Sequence, residues 1–139
     1  MDSVKVFIGM DSRQPLAYTV CRNSIERRAR KPIEIHPLRL DWMPMKRRGL
    51  TDFTFTRYLV PFLSNYTGES LFIDGDTIVL DDIYKLRDEV AGRDFLPSEG
   101  PDVHVVMGSL RFEWPSVMYF RNWQCKSLTP EYTSTYRSY

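Results

Sequence analysis

Cysteine is scarce in this chain: Cys21 and Cys125 are the only two in 139 residues. Two thiols exclude a disulfide framework and a cysteine-only zinc site, and a reducing cytoplasmic compartment is expected. Charge of one sign is also lacking, with 19 Lys plus Arg against 18 Asp plus Glu. Bulk charge therefore does not point to a nucleic-acid partner. No apolar run approaches the roughly 20 residues of a membrane span, so no transmembrane segment is expected. The start, Met1-Asp2-Ser3-Val4, is too acidic and its apolar run too short for a signal peptide. No Gly-x-Gly-x-x-Gly or Walker-type loop occurs. What is present is a globular composition, 42% hydrophobic and 27% charged. The length fits a single domain, residues 1–139, able to bury a real core.

The balanced total hides an asymmetry. Residues 22–48 hold nine basic side chains against three acidic ones, and residues 74–102 hold nine acidic against three basic. Two solvated faces that attract each other weakly are the expected result; a basic surface beside an acidic cation site is the sharper alternative.

Val4 to Ile8 reads as a buried strand, broken by Gly9-Met10-Asp11-Ser12. Pro15 suits a first helical turn, with Asp11 or Ser12 as cap. Leu16, Ala17, Val20, Cys21 and Ile25 recur at helical spacing, which predicts a helix from Pro15 to about Arg30 with those residues on its apolar face. Pro32 stops it, and Ile33 to Leu38 reads as a second strand, giving a strand–helix–strand crossover. Residues 41–52 read as a loop. Thr54 to Tyr66 has a helical pattern that Pro61 should kink or shorten, with Gly68 as its stop. Ser70 to Ile73 is a buried strand, followed by the apolar run Thr77 to Leu80. Asp82 is placed to cap a short helix over residues 83–89. Residues 92–102 read as loop, and Val103 to Met107 and Ser116 to Phe120 as two further strands. Alternating strands and helices predict an α/β layered domain with a mostly parallel central sheet and flanking helices.

The chemistry concentrates in Leu71-Phe72-Ile73-Asp74-Gly75-Asp76-Thr77-Ile78-Val79-Leu80. Three apolar residues deliver two carboxylates to the end of a strand, where ligand sites of open α/β sheets lie. Gly75 offers no side chain to block a ligand or resist a tight turn. Two carboxylates so close repel each other, and a hard cation such as Mn or Mg would relieve that. An acidic turn that merely caps the strand is the plain alternative. His36 and His104 read as ordinary strand histidines.

With these motifs the sequence resembles retaining glycosyltransferases of the glycogenin and lipopolysaccharide-galactosyltransferase type. Four stretches carry the resemblance: Val4 to Asp11 with Tyr18 following; Phe53 to Pro61; Leu71 to Val79; and Trp114 to Asn122. The resemblance implies a GT-A-like, nucleotide-sugar-binding fold. It implies transfer of a hexose from a nucleotide diphosphate sugar, of uridine type, to a hydroxyl acceptor, with the anomeric configuration retained. It places a Mn or Mg ion on Asp74 and Asp76, and the nucleotide sugar against Gly9, Asp11, Tyr18, Arg57, Gly75 and Ser116. It assigns no catalytic nucleophile. The distal part of the family domain, with its His ligand, is not matched, so an inactive truncated copy stays open, as does self-association through an exposed sheet edge. Two other readings stand beside this one. Asp74-Gly75-Asp76-Thr77 also fits a haloacid-dehalogenase-type Mg phosphatase with Asp74 as nucleophile. A non-catalytic binding module is the other.

Overall fold

The structure is a computed structural model that describes residues 4–39, 56–91, 103–106 and 116–131. In chain order, β1 (Lys5–Gly9), α1 (Pro15–Arg28) and β2 (Glu34–Leu38) come first. A 3₁₀ turn (Thr56–Leu59) then runs into α2 (Val60–Leu63), followed by β3 (Glu69–Ile73) and α3 (Ile83–Ala91). β4 (Val103–Val106), β5 (Val117–Arg121) and a 3₁₀ turn (Asn122–Gln124) complete the described elements.

The five strands form one sheet in the order β2-β1-β3-β5-β4. β1 pairs in parallel with both β2 and β3, with Val6 opposite Ile35 and Leu71. β5 runs antiparallel to β3 and to β4, so four strands point one way and β5 alone is reversed. The expected mostly parallel sheet and the β1–α1–β2 crossover are both observed. Among the described residues β2 is an edge, and Pro37 within it has no N–H to offer a neighbour.

Alternation along the strands divides the core into two layers. Val6, Ile8, Leu71, Ile73 and Tyr119 pack under α1 and α3, against Cys21, Ile25, Ile83 and Tyr84. Phe7, Leu38, Phe72, Met118 and Phe120 form the other face, covered by Val60, Cys125 and Leu128. The central strands β1, β3 and β5 are thus buried on both sides, which is why they read as near-continuous apolar runs.

Local chemistry sets the element ends. Pro15 opens α1 as expected, but Gln14 is its N-cap and no side chain caps it. Asp11 instead turns the preceding loop, its Oδ1 accepting the Arg13 backbone N–H at 2.9 Å. The apolar face of α1 also differs from expectation: Cys21 and Ile25 are buried with Ser24, while Leu16 and Val20 are exposed. Ser24 is needed inside because its Oγ accepts the Val79 N–H at 2.9 Å and donates to the Cys21 carbonyl at 2.6 Å. That bond ties the stretch after β3 to α1. Ile78 and Leu80 flank it and face solvent, outside any ladder. Asp82 caps α3 as expected, Oδ1 accepting the Tyr84 N–H at 3.0 Å.

The helix expected over residues 54–66 is two short pieces that end at Leu63. Pro61 sits in the first turn of α2, where no N–H is required. Asn65 and Tyr66 then take left-handed backbone angles, φ 54° and 55°, which ends the helix before Gly68. Gly68, at φ 67°, makes the turn into β3 at a conformation glycine adopts freely. Residues 41–52, 54–55, 92–102, 107 and 114 lie outside the described residues, and with them the two expected loops and Trp114.

The charge asymmetry is expressed as contact between the two stretches. Arg30 pairs with Asp88 at 2.5 Å and approaches Asp82 at 3.8 Å, joining the end of α1 to α3.

Candidate functional site

The carboxyl ends of β1 and β3 lie side by side, and the chain leaves each through a turn. Gly9 and Met10 lead from β1 to Asp11; Asp74, Gly75 and Asp76 lead from β3. The two turns touch through backbone, since a Cβ on Gly75 would stand 2.2 Å from the Gly9 carbonyl oxygen. Only a residue without a side chain permits that approach. Beside the junction opens a cleft of about 190 Å³, lined by Gly9, Asp11, Arg13, Gln14, Ala17, Tyr18, Gly75 and Asp76.

Five of the residues chosen from sequence therefore meet in one cavity: Gly9, Asp11, Tyr18, Gly75 and Asp76. Asp76 is exposed at its mouth. Asp11 is nearly buried and held by Arg13, Nε to Oδ1 at 3.0 Å and NH2 to Oδ2 at 2.9 Å. That guanidinium keeps the Asp11 carboxyl below the usual range, against a smaller opposing effect of burial. Asp11 is thus an ionised acceptor at neutral pH. Tyr18 is half-buried, packs against the core, and its hydroxyl accepts from Arg22 at 3.2 Å. Core residue and cavity wall are both true of it.

Asp74, Arg57 and Ser116 form a second set, joined through Asp74, that does not line the cleft. The Asp74 backbone N–H bonds to the Ser116 carbonyl at 2.9 Å, and the Thr77 N–H returns to the Asp74 carbonyl at 3.0 Å. Arg57 NH2 lies 3.3 Å from Asp74 Oδ1, with side-chain exposures of 3% and 16%. The guanidinium also stacks over Phe72, 4.9 Å from the ring centre. Burial pushes the Asp74 carboxyl up to about 6; Arg57 pulls it down, Asp76 adds to the rise, and a Ser116 side-chain hydrogen bond lowers it. Burial likewise lowers the Arg57 pKa, opposed by Asp74. Arg57 serves here as the buried counter-charge of Asp74 and does not line the cleft.

The donor set is all oxygen, suited to a hard cation such as Mg or Mn. Among the described residues no group of three His, Cys, Asp or Glu gathers. Two carboxylates leave the remaining coordination positions for phosphate oxygens and water, the usual habit of Mg in phosphate sites. His36 stacks on Phe7 and bonds Glu34 at 2.8 Å, away from this set, and His104 lies on β4.

Arg13, Gln14 and Ala17 line the cleft without having been selected from sequence. The signal was available for Arg13: Asp-x-Arg spacing lets a side chain fold back on the carboxylate two residues earlier. Gln14 and Ala17 had no signal beyond their place at the start of a helix that follows β1.

This arrangement is the GT-A-like glycosyltransferase fold, as solved structures show. WbbM, a bifunctional glycosyltransferase in its apo form, superposes with a TM-score of 0.62 at 17% identity, over 88% of this chain and 32% of WbbM. GlyE, a glycosyltransferase of Streptococcus pneumoniae TIGR4, gives a TM-score of 0.58 at 14% identity, over 88% of this chain and 35% of GlyE. In sequence, Protein CDI of Arabidopsis thaliana is 32% identical over a 151-residue alignment that takes in 94% of this chain and 58% of CDI. The chain thus spans somewhat over half the length of that relative. No family model matches it. No helix among the described residues is long and apolar enough to cross a membrane.

Proposed function

We propose that the chain carries the donor site of a metal-dependent glycosyltransferase of the glycogenin and lipopolysaccharide-galactosyltransferase type. Its donor is a nucleotide diphosphate sugar, of uridine type, and its acceptor a hydroxyl group. The observation that carries this reading is the cleft where β1 and β3 end, lined by Asp11, Tyr18 and Asp76, with Asp74 two residues before Asp76. The nucleoside lies against Tyr18, Ala17 and Asp11, and the diphosphate lies toward Asp76. A diphosphate meeting two carboxylates suffers about 4 kcal/mol of repulsion per charge pair at 4 Å near a surface. A Mn or Mg ion held by Asp74 and Asp76 would reverse that and stabilise the departing diphosphate.

The chain's own residues supply positioning and charge control. Arg57 holds Asp74 in one orientation, and Ser116 fixes the backbone of the same residue. Gly75 lets the ligand and the Gly9 backbone approach. In the transfer the bond from anomeric carbon to phosphate oxygen breaks and a bond to the acceptor oxygen forms, with the acceptor proton released. No side-chain nucleophile is assigned.

The phosphatase alternative is less supported. Its nucleophile normally ends the first strand, whereas Asp74 follows the third strand in chain order and is held by Arg57. Beryllofluoride trapping on Asp74 would support it. The decisive test is calorimetric titration of uridine diphosphate with and without Mn. Mn-dependent binding that vanishes in Asp74→Asn and Asp76→Ala supports the transferase reading. A folded chain that ignores millimolar nucleotide overturns it in favour of a non-catalytic module.

A further inference from the structure

Arg13 grips Asp11 by three hydrogen bonds: its backbone N–H and Nε to Oδ1 at 2.9 and 3.0 Å, and NH2 to Oδ2 at 2.9 Å. Two of these form a planar fork, a geometry that fixes a carboxylate in orientation as well as in place. Each carboxylate oxygen has two acceptor positions. Oδ1 is filled by Arg13, and Oδ2 accepts one bond from it. Both residues line the cleft, together with Ala17 and Tyr18.

An ionised carboxylate repels phosphate and accepts from uncharged donors. A nucleotide sugar offers such donors at its two ends, as ring N–H groups and ribose hydroxyls on the nucleoside and as hydroxyls on the hexose, and none along its diphosphate. Ala17 and Tyr18 supply an apolar wall beside Asp11, suited to a base, while Asp76 marks the charged end. We propose that Arg13 is the positioning residue of the nucleoside end: it clamps Asp11 so that Oδ2 receives a nucleoside N–H or hydroxyl. This rests on the donor-site reading above and adds to it which part of the donor Arg13 controls.

The clamp contributes little to folding, because the Arg13 side chain is 67% exposed and exposed pairs are screened by water. Its effect on a ligand is larger, because an unclamped carboxylate must be ordered again at each binding event. Stability and affinity are therefore expected to separate.

The experiment titrates uridine diphosphate, uridine monophosphate and uridine into the full chain, with and without Mn, and follows thermal unfolding in parallel. Arg13→Ala is expected to weaken all three ligands by a common factor of about tenfold, equal with and without Mn, with the unfolding midpoint little changed. Arg13→Lys is expected not to restore affinity, since one ammonium cannot grip both oxygens. Asp76→Ala is expected to remove the Mn-dependent part for the diphosphate and leave uridine unchanged. Arg13→Gln, which keeps a donor and much of the bulk, replaces Arg13→Ala if that variant does not fold. Unchanged affinity, a gain in affinity, or a loss confined to the diphosphate overturns the positioning role. Wild-type chain that binds none of the three overturns the donor-site reading as well, so the two failures are distinct.

Discussion

A methyl group on Gly75 would lie 2.2 Å from the carbonyl oxygen of Gly9. The obstacle is backbone, paired on β1 with its neighbours, and cannot swing away. Gly75→Ala is therefore expected to push the two turns apart. A stability loss of about 1–3 kcal/mol, as for overpacking elsewhere, should be read in urea unfolding, together with weakened nucleotide binding. Wild-type values for both would show that the turns separate freely.

Asp74 and Asp76 are two residues apart yet differ in burial, and their alanine variants should differ in stability. Asp74→Ala removes the carboxylate paired with the buried Arg57 guanidinium, and breaking a buried pair costs up to about 3 kcal/mol. Asp76 is exposed, and Asp76→Ala is expected to change stability by less than about 0.5 kcal/mol. Denaturation midpoints of the two variants check this. Equal midpoints would mean that the Arg57 pair contributes nothing to the fold.

The Asp74 carboxyl, raised from 3.8 to about 6, sets a pH dependence with a definite sign. Below about pH 4 the folded and unfolded chains both hold its proton. Between about 4 and 6 the folded chain keeps the proton and the unfolded chain has lost it. The stability from this group is thus full below pH 4 and lost as pH rises through 6. Two pK units correspond to at most about 3 kcal/mol. Asp74→Asn should remove this part of the pH profile in stability measurements from pH 4 to 7. Cation binding requires the ionised form, so Mn affinity is expected to rise over the same interval, the reverse trend.

Cys21 is fully buried, and burial with the nearby Asp76 and Asp74 charges pushes its thiol up to about 12. The thiolate is the reactive species. Ellman's reagent should leave Cys21 untouched in the folded chain and label it in denaturant. Rapid labelling under native conditions would contradict the packing of α1 on the sheet.

β1, β3 and β5 were legible because each is a short apolar run buried on both faces, and so were the crossover and the acidic turn after β3. The buried face of α1 was not. Apolar periodicity favoured Leu16 and Val20, while the fold needed the hydroxyl of Ser24 to receive Val79, fifty-five residues away in sequence. The same limit hid the partner of Arg57. Its charge was visible as a donor contact, but seventeen residues separate it from Asp74, and only the packing of the 3₁₀ turn on Phe72 turns it into a buried counter-ion. The helix over residues 54–66 was overread because hydrophobic spacing carries no record of the left-handed angles at Asn65 and Tyr66.

β3 is the middle strand of five, held by β1 on one side and β5 on the other. The amide of Asp74, one residue past β3, adds one bond on the β5 side, to the Ser116 carbonyl. Fraying at either edge of the sheet does not reach it. Amide hydrogens within β3 are therefore expected to exchange with solvent more slowly than those of β2 and β4. The carboxylate turn is thus anchored to a central strand, and its base is expected to persist through the partial openings that loosen the edge strands.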